Sequence, residues 1–246
     1  MGFSLAAQPD GKVIVAGVNG LELYYRPLLV RFDSDGVLDT TFGTGGAVTY
    51  GNGPFNEAFS VAIQSDGKAL VGAGSGLLRY SSDGTLDTTF GVNGRAKYPH
   101  FNTNGYSVAI QPDGKALVAG GNEDDLVLLR FNTNGTLDTT FGTDGEARYG
   151  NSSGRSVAIQ SDGKPLVVGK RENDIILLRF NTDGTLDATF GTDGASRYDS
   201  GTNDYGYFVA IQSDNKAIVG GVTRYFGDVF FDFAYGYGDL LLLRYE

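Results

Sequence analysis

The sequence predicts an all-β chain that forms a single five-bladed β-propeller over residues 1–246. Each blade takes roughly 50 residues, and the last blade lacks its fourth strand. Three observations lead to this prediction. The motif LDTTFG recurs at Leu38, Leu86 and Leu137, and again as LDATFG at Leu186. The chain repeats itself in units that start near residues 4, 60, 107, 156 and 208. Its 38 Gly, 14 Tyr and 16 Phe suit short strands joined by tight turns.

The first half of each unit has the pattern of a β-hairpin. A short strand such as SVAIQ at Ser60 is followed by a turn, which reads PDGK at Pro9 and SDGK at Ser65. Asp-Gly between two apolar runs favours a tight hairpin because Gly accepts positive φ. A second strand, such as KALVAGG, then follows.

The second half of each unit supplies two more strands. A third strand ends in Arg and an aromatic residue, as in LVLLRF. An Asx-Gly turn and the LDTTFG motif follow, and then a fourth strand that ends in Tyr, as in EARY. Strands two and three are continuous apolar runs, which is typical of a sheet covered on both faces. Neighbouring blades of a propeller provide that cover.

The combination DGK…LVAGG…LLRFN-x-DG-x-LD-TTFG-x-GG resembles the delta-sixty repeat family, whose tandem propeller repeats occur in bacterial surface and secreted proteins. The resemblance covers nearly the whole chain. It implies a propeller in an extracellular or cell-surface setting, and it carries over no catalytic or ligand-binding residue.

An Arg at the end of the third strand precedes the Asp of the LDTTFG motif by eight residues in each of the first four units. This spacing stays constant while the unit length varies, which predicts a hydrogen-bonded staple in which the planar Arg fork binds the carboxylate. The following Phe is expected to anchor the loop between blades. A repeated ligand site remains the alternative. The pairs are Arg31–Asp39, Arg79–Asp87, Arg130–Asp138 and Arg179–Asp187.

The motif has no fifth copy. The sequence closes with LLLLRYE, so Arg244 has no Asp eight residues later, and the fifth unit has no fourth strand. Three explanations are a three-stranded last blade, a fragment of a longer array, or an edge completed by a neighbouring chain. An exposed apolar edge invites pairing with another chain, which favours the last two.

Sequence variation is concentrated in the connections that antiparallel topology places on one face of the blades. A rigid scaffold with variable loops on one face is typical of recognition. The longest loop, from Val222, is rich in aromatic residues and Asp, which suit carbohydrate binding. Aromatic residues are also enriched at protein interfaces, so binding of a protein is a second interpretation. A third interpretation is a hairpin that caps its own blade. The candidate ligand-binding residues are Tyr24, Tyr25, Phe55, Phe101, Tyr205, Tyr225, Phe226, Asp228, Phe230, Phe231, Asp232, Tyr235 and Tyr237.

Composition argues against several classes of partner. The net charge is −10 and no Lys/Arg cluster occurs, which argues against nucleic acid and anionic membranes. No apolar run approaches the roughly 20 residues that span a bilayer. The chain has no Cys, so thiolate metal sites are excluded. No cofactor is predicted; calcium at Asx-x-Asx-Gly turns, such as the one at Asp33, is a lesser alternative because turn chemistry alone explains them.

These observations predict an extracellular or cell-surface recognition module that binds glycan, as an adhesin does, and that is not an enzyme. Its partner is expected to be a glycan or a cell-surface protein. The alternative is a structural or protein-interaction module of a surface array or fibre, with a neighbouring chain at the open edge of blade five. A glycosidase ranks third, because no acid–base pair stands out among the carboxylates of the variable face. These are Glu22, Glu57, Glu123, Asp124, Asp125, Asp174 and Asp204.

Overall fold

The computed structural model describes residues 2–20, 26–51, 57–74, 76–98, 104–121, 125–224 and 238–245. Over these ranges the regular secondary structure consists of β-strands joined by turns. A helix long and apolar enough to cross a membrane is not found in the described part of the chain.

The described strands form five antiparallel sheets, four of them with four strands and the last with three. Each sheet is one blade, and strands adjacent in sequence are adjacent in the sheet. This confirms the predicted fold class, a five-bladed β-propeller whose last blade has three strands. Blade 1 contains β1 (Gly2–Ala7), β2 (Val13–Asn19), β3 (Arg26–Phe32) and β4 (Ala47–Thr49). Blade 2 contains β5 (Ala58–Ile63), β6 (Ala69–Ala73), β7 (Gly76–Tyr80) and β8 (Arg95–Lys97). Blade 3 contains β9 (Asn104–Ile110), β10 (Ala116–Gly121), β11 (Asp125–Phe131) and β12 (Glu146–Gly150). Blade 4 contains β13 (Ser152–Ile159), β14 (Pro165–Arg171), β15 (Asp174–Arg179) and β16 (Ala195–Tyr198). Blade 5 contains β17 (Asn203–Ile211), β18 (Ala217–Arg224) and β19 (Gly238–Tyr245).

The Asp-Gly turns between the first two strands have the conformation that the sequence predicts. Gly11 has a φ of 83°, and Asp10 Oδ1 accepts the N–H of Lys12 at 3.2 Å. In blade 5 Asn215 takes the glycine position with a φ of 67°. Asn tolerates this left-handed conformation better than most residues do, so the hairpin survives the loss of glycine.

The chain divides into two compact units. The first unit comprises Met1–Val118 and Leu129–Asp138, and the second comprises Ala119–Leu128 and Thr139–Glu246. The core of the first unit joins blades 1 and 2 through residues such as Leu29 and Val71. The core of the second unit joins blades 4 and 5 through residues such as Leu177 and Val219.

The extent to which the inner strands are buried differs between blades. β6, β7 and β10 are buried along their whole length, as their apolar sequences predict. β3 instead alternates between buried and less buried residues, and in β19 Leu240 and Leu242 are exposed. An apolar sequence is therefore buried on both faces of its strand only where another blade packs against each face.

Neighbouring blades are also joined by hydrogen bonds that repeat along the chain. Ser4 Oγ of blade 1 accepts the N–H of Val61 at 3.2 Å, and Ser156 Oγ of blade 4 accepts the N–H of Val209 at 3.2 Å. In the connection between the third and fourth strands of blade 1, Gly43 donates its N–H to the carbonyl of Asp83 in blade 2 at 2.8 Å. These bonds connect each of these blades to the next one in the chain.

Candidate functional site

The structure brings the Arg and Asp of each repeat together on the face of the constant turns. Arg31 Nε lies 2.9 Å from Asp39 Oδ2, and Arg130 Nε lies 2.7 Å from Asp138 Oδ2. The contact uses Nε and a single carboxylate oxygen, not both prongs of the Arg fork. The free prong of Arg79 reaches the next blade instead, where its Nη1 donates to the Thr133 carbonyl at 2.6 Å.

A lysine completes each cluster. Lys12 Nζ lies 2.8 Å from Asp39 Oδ2, and Lys164 Nζ lies 2.8 Å from Asp187 Oδ2. The second carboxylate oxygen of Asp39 accepts hydrogen bonds from the backbone and hydroxyl of Thr41 at 3.0 and 2.5 Å. Sequence reasoning missed the lysine, although a Lys follows the Asp-Gly or Asp-Asn turn between the first two strands of every blade and was the available signal.

The Phe of the motif sits beneath the Arg. The guanidinium of Arg79 lies 4.5 Å from the ring centroid of Phe90, a cation–π geometry. Phe90 is buried, and a side chain at Gly135 of the next blade would meet its ring at 3.0 Å. The Phe therefore packs between the two blades.

These contacts shift the titration of the carboxylates. The hydrogen bond from Lys12, followed by that from Thr41, holds the pKa of Asp39 well below its usual range. Lys164 and then Thr189 lower the pKa of Asp187 in the same way. Both oxygens of each Asp are used by the protein itself, so these clusters fit a structural role better than a ligand site.

A cavity of about 460 Å³ lies on the same face between the turns of blades 2 and 3. Arg79, Asp66 and Asp113 are among its lining residues. Arg79 is already bound to Asp87, Thr89 and Thr133. The guanidinium of Arg79 in the wall of this cavity is thus already bound by the protein itself. The variable face is therefore the better candidate for a ligand-binding site.

Most of the predicted ligand-binding residues fall outside the described part of the chain. These are Tyr24, Tyr25, Phe55, Phe101, Tyr225, Phe226, Asp228, Phe230, Phe231, Asp232, Tyr235 and Tyr237. Glu22, Glu123 and Asp124, among the variable-face carboxylates, also lie outside it. Tyr205 is described, at the start of the first strand of blade 5.

Tyr205 belongs to an aromatic pair. Its ring stacks with that of Tyr207 at a centroid distance of 6.3 Å and an interplanar angle of 11°. A register shift between Gly206 and Phe208 makes Tyr207 an extra residue on β17. Lys170 Nζ of blade 4 lies 4.1 Å from the Tyr205 ring centroid. A cation and two aromatic rings thus meet at the loop ends of blades 4 and 5.

Three carboxylates lie at the same ends of these blades. Asp174, Asp199 and Asp204 each offer an oxygen, and these oxygens lie within 4.8 Å of one another. Within the described residues this is the one group whose carboxylate spacing would suit a metal ion. Asp174 and Asp204 are buried, whereas Asp199 is exposed. The sequence placed Asp174 and Asp204 on the variable face but contained no signal that they meet.

The carboxylates also have protein partners. Ser200 donates its N–H to one oxygen of Asp204 at 2.8 Å and its hydroxyl to the other at 2.6 Å. The Nε of Arg197 donates to Asp174 Oδ2, and that hydrogen bond raises the pKa of Arg197. These bonds fix the loop that connects blade 4 to blade 5, in which the exposed Asp199 accepts the N–H of Gly201 on its Oδ1 at 2.7 Å.

The Asx-Gly turn considered for calcium uses its carboxylate locally. Asp33 Oδ1 accepts the N–H of Asp35 at 3.0 Å and that of Val37 at 2.9 Å. This is the hydrogen bonding of an Asx turn, which accounts for Asp at this position without a metal.

Comparison with known proteins identifies the repeat. The profile of a family described as a domain of unknown function (DUF5122) beta-propeller matches residues 8–42, 64–90, 111–141 and 160–190, together half of the chain. A comparison with curated proteins gave no significant match.

Several solved structures share the fold at low sequence identity. A protein of unknown function from Bacteroides caccae is 16% identical with a TM-score of 0.53, and the match covers 83% of this chain and 64% of that protein. The extracellular domain of a protein assigned to a hybrid two-component system of B. thetaiotaomicron is 16% identical with a TM-score of 0.54, over 92% of this chain and 27% of that one. The chain thus spans less than two thirds of either Bacteroides protein.

One similar structure corrects a prediction made from the sequence. Glucose dehydrogenase is 11% identical with a TM-score of 0.56, and the match covers 88% of this chain and 78% of that enzyme. The expectation that the chain is not an enzyme was wrong: it rested on the lack of an evident acid–base pair in the sequence, and an enzyme shares this fold. The reaction that a propeller catalyses, if any, depends on which residues lie at its loop ends. The fold does not determine those residues.

Proposed function

The chain belongs to the DUF5122 β-propeller family, and from that premise we propose that it binds carbohydrate through the loop ends of blades 4 and 5. Propellers hold their blades rigidly and leave the connections between strands to vary, so recognition is best sought in the connections. The stacked pair of Tyr205 and Tyr207 beside buried carboxylates is the observation that carries the proposal.

The aromatic pair offers the apolar part of a sugar site. Tyr207 is 43% exposed, so one ring of the pair is open to solvent. The faces of pyranose rings carry C–H groups that pack on an aromatic surface, while the Tyr hydroxyls can bond to water or to sugar hydroxyls. A stacked Tyr pair held on a β-strand loses little conformational entropy when a ligand binds.

The polar side chains beside the pair match the other part of a sugar. Sugar hydroxyls donate to carboxylates and accept from ammonium and guanidinium groups. Asp199 and Arg197 are both exposed at this corner, and Lys170 lies against the Tyr205 ring. The backbone and hydroxyl of Ser200 hold Asp204, which keeps the loop in place before ligand arrives.

The setting of this function is proposed to be extracellular or at the cell surface, with a glycan or a glycosylated surface protein as partner. The resemblance of the LDTTFG repeats to the delta-sixty family of bacterial surface and secreted proteins supports this. The aromatic residues at 225–237 lie outside the described residues and stay candidate ligand-binding residues.

A glycan array tests the proposal. The intact chain, Tyr205→Ala and Tyr207→Ala are screened at equal concentration, with folding checked by circular dichroism. We expect both variants to lose most of the signal on the glycans that the parent chain binds. Phe3→Ala is the matched control, because Phe3 is also an aromatic residue with 43% exposure but lies in blade 1. An array with no hits, or unchanged binding by Tyr207→Ala, would sink the proposal.

A further inference from the structure

The hairpin turns of blades 4 and 5 are joined by the side chain of one residue. Asn215 Oδ1 accepts the N–H of Ser161 at 2.9 Å, and the Asn215 carbonyl accepts a hydrogen bond from Gln160 Nε2 at 3.0 Å. Asn215 stands where the corresponding turns of the other blades have glycine. A carboxamide group therefore fits between two of these turns and accepts a hydrogen bond from the first of them.

The corresponding gap between blades 2 and 3 has the same donor but no such side chain. Ser65 corresponds to Ser161, and Gly114 corresponds to Asn215. Ser65 and Gly114 both line the cavity of about 460 Å³ described above. The turn of blade 1 has Pro9 in place of this Ser, and Pro lacks a backbone N–H. The cavity therefore offers a backbone donor that the gap between blades 1 and 2 lacks.

Two glutamine side chains of the cavity wall also lack partners within the protein. Oε1 of Gln64 and Oε1 of Gln111 are buried and accept no hydrogen bond from the described part of the chain. Gln111 is 8% exposed, and its backbone N–H and carbonyl are used within its own turn, by Lys115 at 2.8 Å and Gly114 at 2.9 Å. Because buried carbonyl oxygens are normally hydrogen-bonded, these two atoms favour a ligand that donates hydrogen bonds.

The charged groups of the cavity wall favour a neutral ligand. Arg79 Nε lies 2.9 Å from Asp87 Oδ2, so the guanidinium is not free for an anion, and its positive charge disfavours a cation beside it. Asp66 Oδ1 and Asp113 Oδ1 accept backbone N–H groups of their own turns at 3.2 and 3.1 Å. Their carboxylates can accept further hydrogen bonds from hydroxyl groups. The volume of about 460 Å³ lies within the range of small-molecule sites, roughly 300–1,000 Å³.

We propose that this cavity binds an N-acetylated amino sugar. The acetamido carbonyl of the sugar takes the place of Asn215 Oδ1 and accepts the N–H of Ser65. The acetamido N–H donates to the amide oxygen of Gln111, and the ring hydroxyls donate to Asp113. This second site does not depend on the sugar site proposed for blades 4 and 5, because the two sites share no residue.

Titration of the intact chain with N-acetylglucosamine tests the proposal. Binding is followed by ligand-observed NMR, with glucosamine and glucose as control ligands because they lack the acetamido group. We expect saturable binding of N-acetylglucosamine. Both control ligands are expected to bind at least tenfold more weakly, since they have no carbonyl that could accept the N–H of Ser65.

Filling the cavity with a carboxamide from the protein itself locates the site. Gly114 has a φ of 82°, in the region that Asn215 adopts in blade 5, and an added Cβ would lie 3.1 Å from Thr133 Cγ2, so this methyl group must shift slightly. We expect Gly114→Asn to weaken binding of N-acetylglucosamine at least tenfold. Gly67→Asn is the matched control, because it makes the same change in the turn of blade 2, where Pro9 of blade 1 offers no N–H, and it should leave binding unchanged.

Two further variants separate binding from folding and one sugar site from the other. Gln111→Met keeps the length of the side chain but removes its amide oxygen, so it should weaken binding about tenfold without lowering the unfolding midpoint. Tyr207→Ala should bind N-acetylglucosamine in this cavity as the parent chain does. The proposal is overturned if N-acetylglucosamine does not bind, if glucose binds as tightly, if Gly114→Asn binds like the parent chain, or if Tyr207→Ala abolishes the binding.

Discussion

Replacing Asp138 by Asn tests whether the Lys–Asp–Arg clusters stabilise the blades. Asp138 is buried, and its Oδ2 lies 2.7 Å from Arg130 Nε and 2.8 Å from Lys115 Nζ. Asn has nearly the same shape and keeps one acceptor oxygen. The substitution therefore removes the negative charge between two cations while it changes the packing very little.

The expected cost follows from these two contacts. A hydrogen bond to a charged group contributes about 1.5–3 kcal/mol and a neutral one about 0.5–1.5 kcal/mol. Removing one member of a buried ion pair costs about 3–5 kcal/mol. Lys115 is part-exposed and regains water, so we expect Asp138→Asn to cost roughly 2–4 kcal/mol. For a chain of this size the unfolding midpoint should fall by on the order of 10 °C.

Differential scanning calorimetry and guanidinium unfolding measure this loss. Asp214→Asn is the matched control, because Asp214 also contacts an Arg but the two side chains are 45% and 54% exposed. Its unfolding midpoint is expected to match that of the parent chain, since exposed pairs contribute little. The reasoning is refuted if Asp138→Asn unfolds within a degree of the parent chain, or if both variants lose the same amount.

Two further predictions concern pH and turn geometry. Because the pKa of Asp39 and that of Asp187 are lowered in the folded chain, their stabilisation is complete above the ordinary Asp pKa of about 3.9 and is lost as pH falls below it. The unfolding midpoint should therefore drop steeply below about pH 4, and less steeply in Asp187→Asn; equal slopes would contradict this. Gly184 has a φ of +90°, and an added Cβ would lie 2.6 Å from the Gly142 nitrogen of the neighbouring blade. Gly184→Ala should cost more than Gly36→Ala, which places Ala in the equivalent turn with nothing within 4 Å of its Cβ, and guanidinium unfolding of the pair shows the difference.

Sequence reasoning could predict the parts of this protein that recur at fixed spacing. The hairpin at Asp10-Gly11 depends on residues that are neighbours in the chain, so its turn follows from local backbone preferences. The pairing of Arg130 with Asp138 follows from a spacing that stays at eight residues. A repeat also makes each prediction more secure, because the same residue pattern has to form the same structure in several blades.

The candidate site depended on contacts that no spacing encodes. The residue type of Tyr205 and its loop indicate a candidate binding residue. Its stacking on Tyr207 depends on the bulge in β17, and the position of Lys170 depends on how blade 4 packs against blade 5. The approach of Asp174 to Asp204 joins two separate connections. Sequence variation could indicate the face, but not which of its side chains meet.

The sequence by itself determined the number of blades, the order of strands within them and the absence of a fifth motif, because these are properties of a repeating pattern. Only the tertiary structure decided that Lys12 joins the pair of Arg31 and Asp39, and that Leu242 is exposed while Leu177 is buried. The sequences LLLLRY and IILLRF are almost the same. Their burial differs because burial depends on the neighbours that pack against a strand, which a strand's own sequence does not specify.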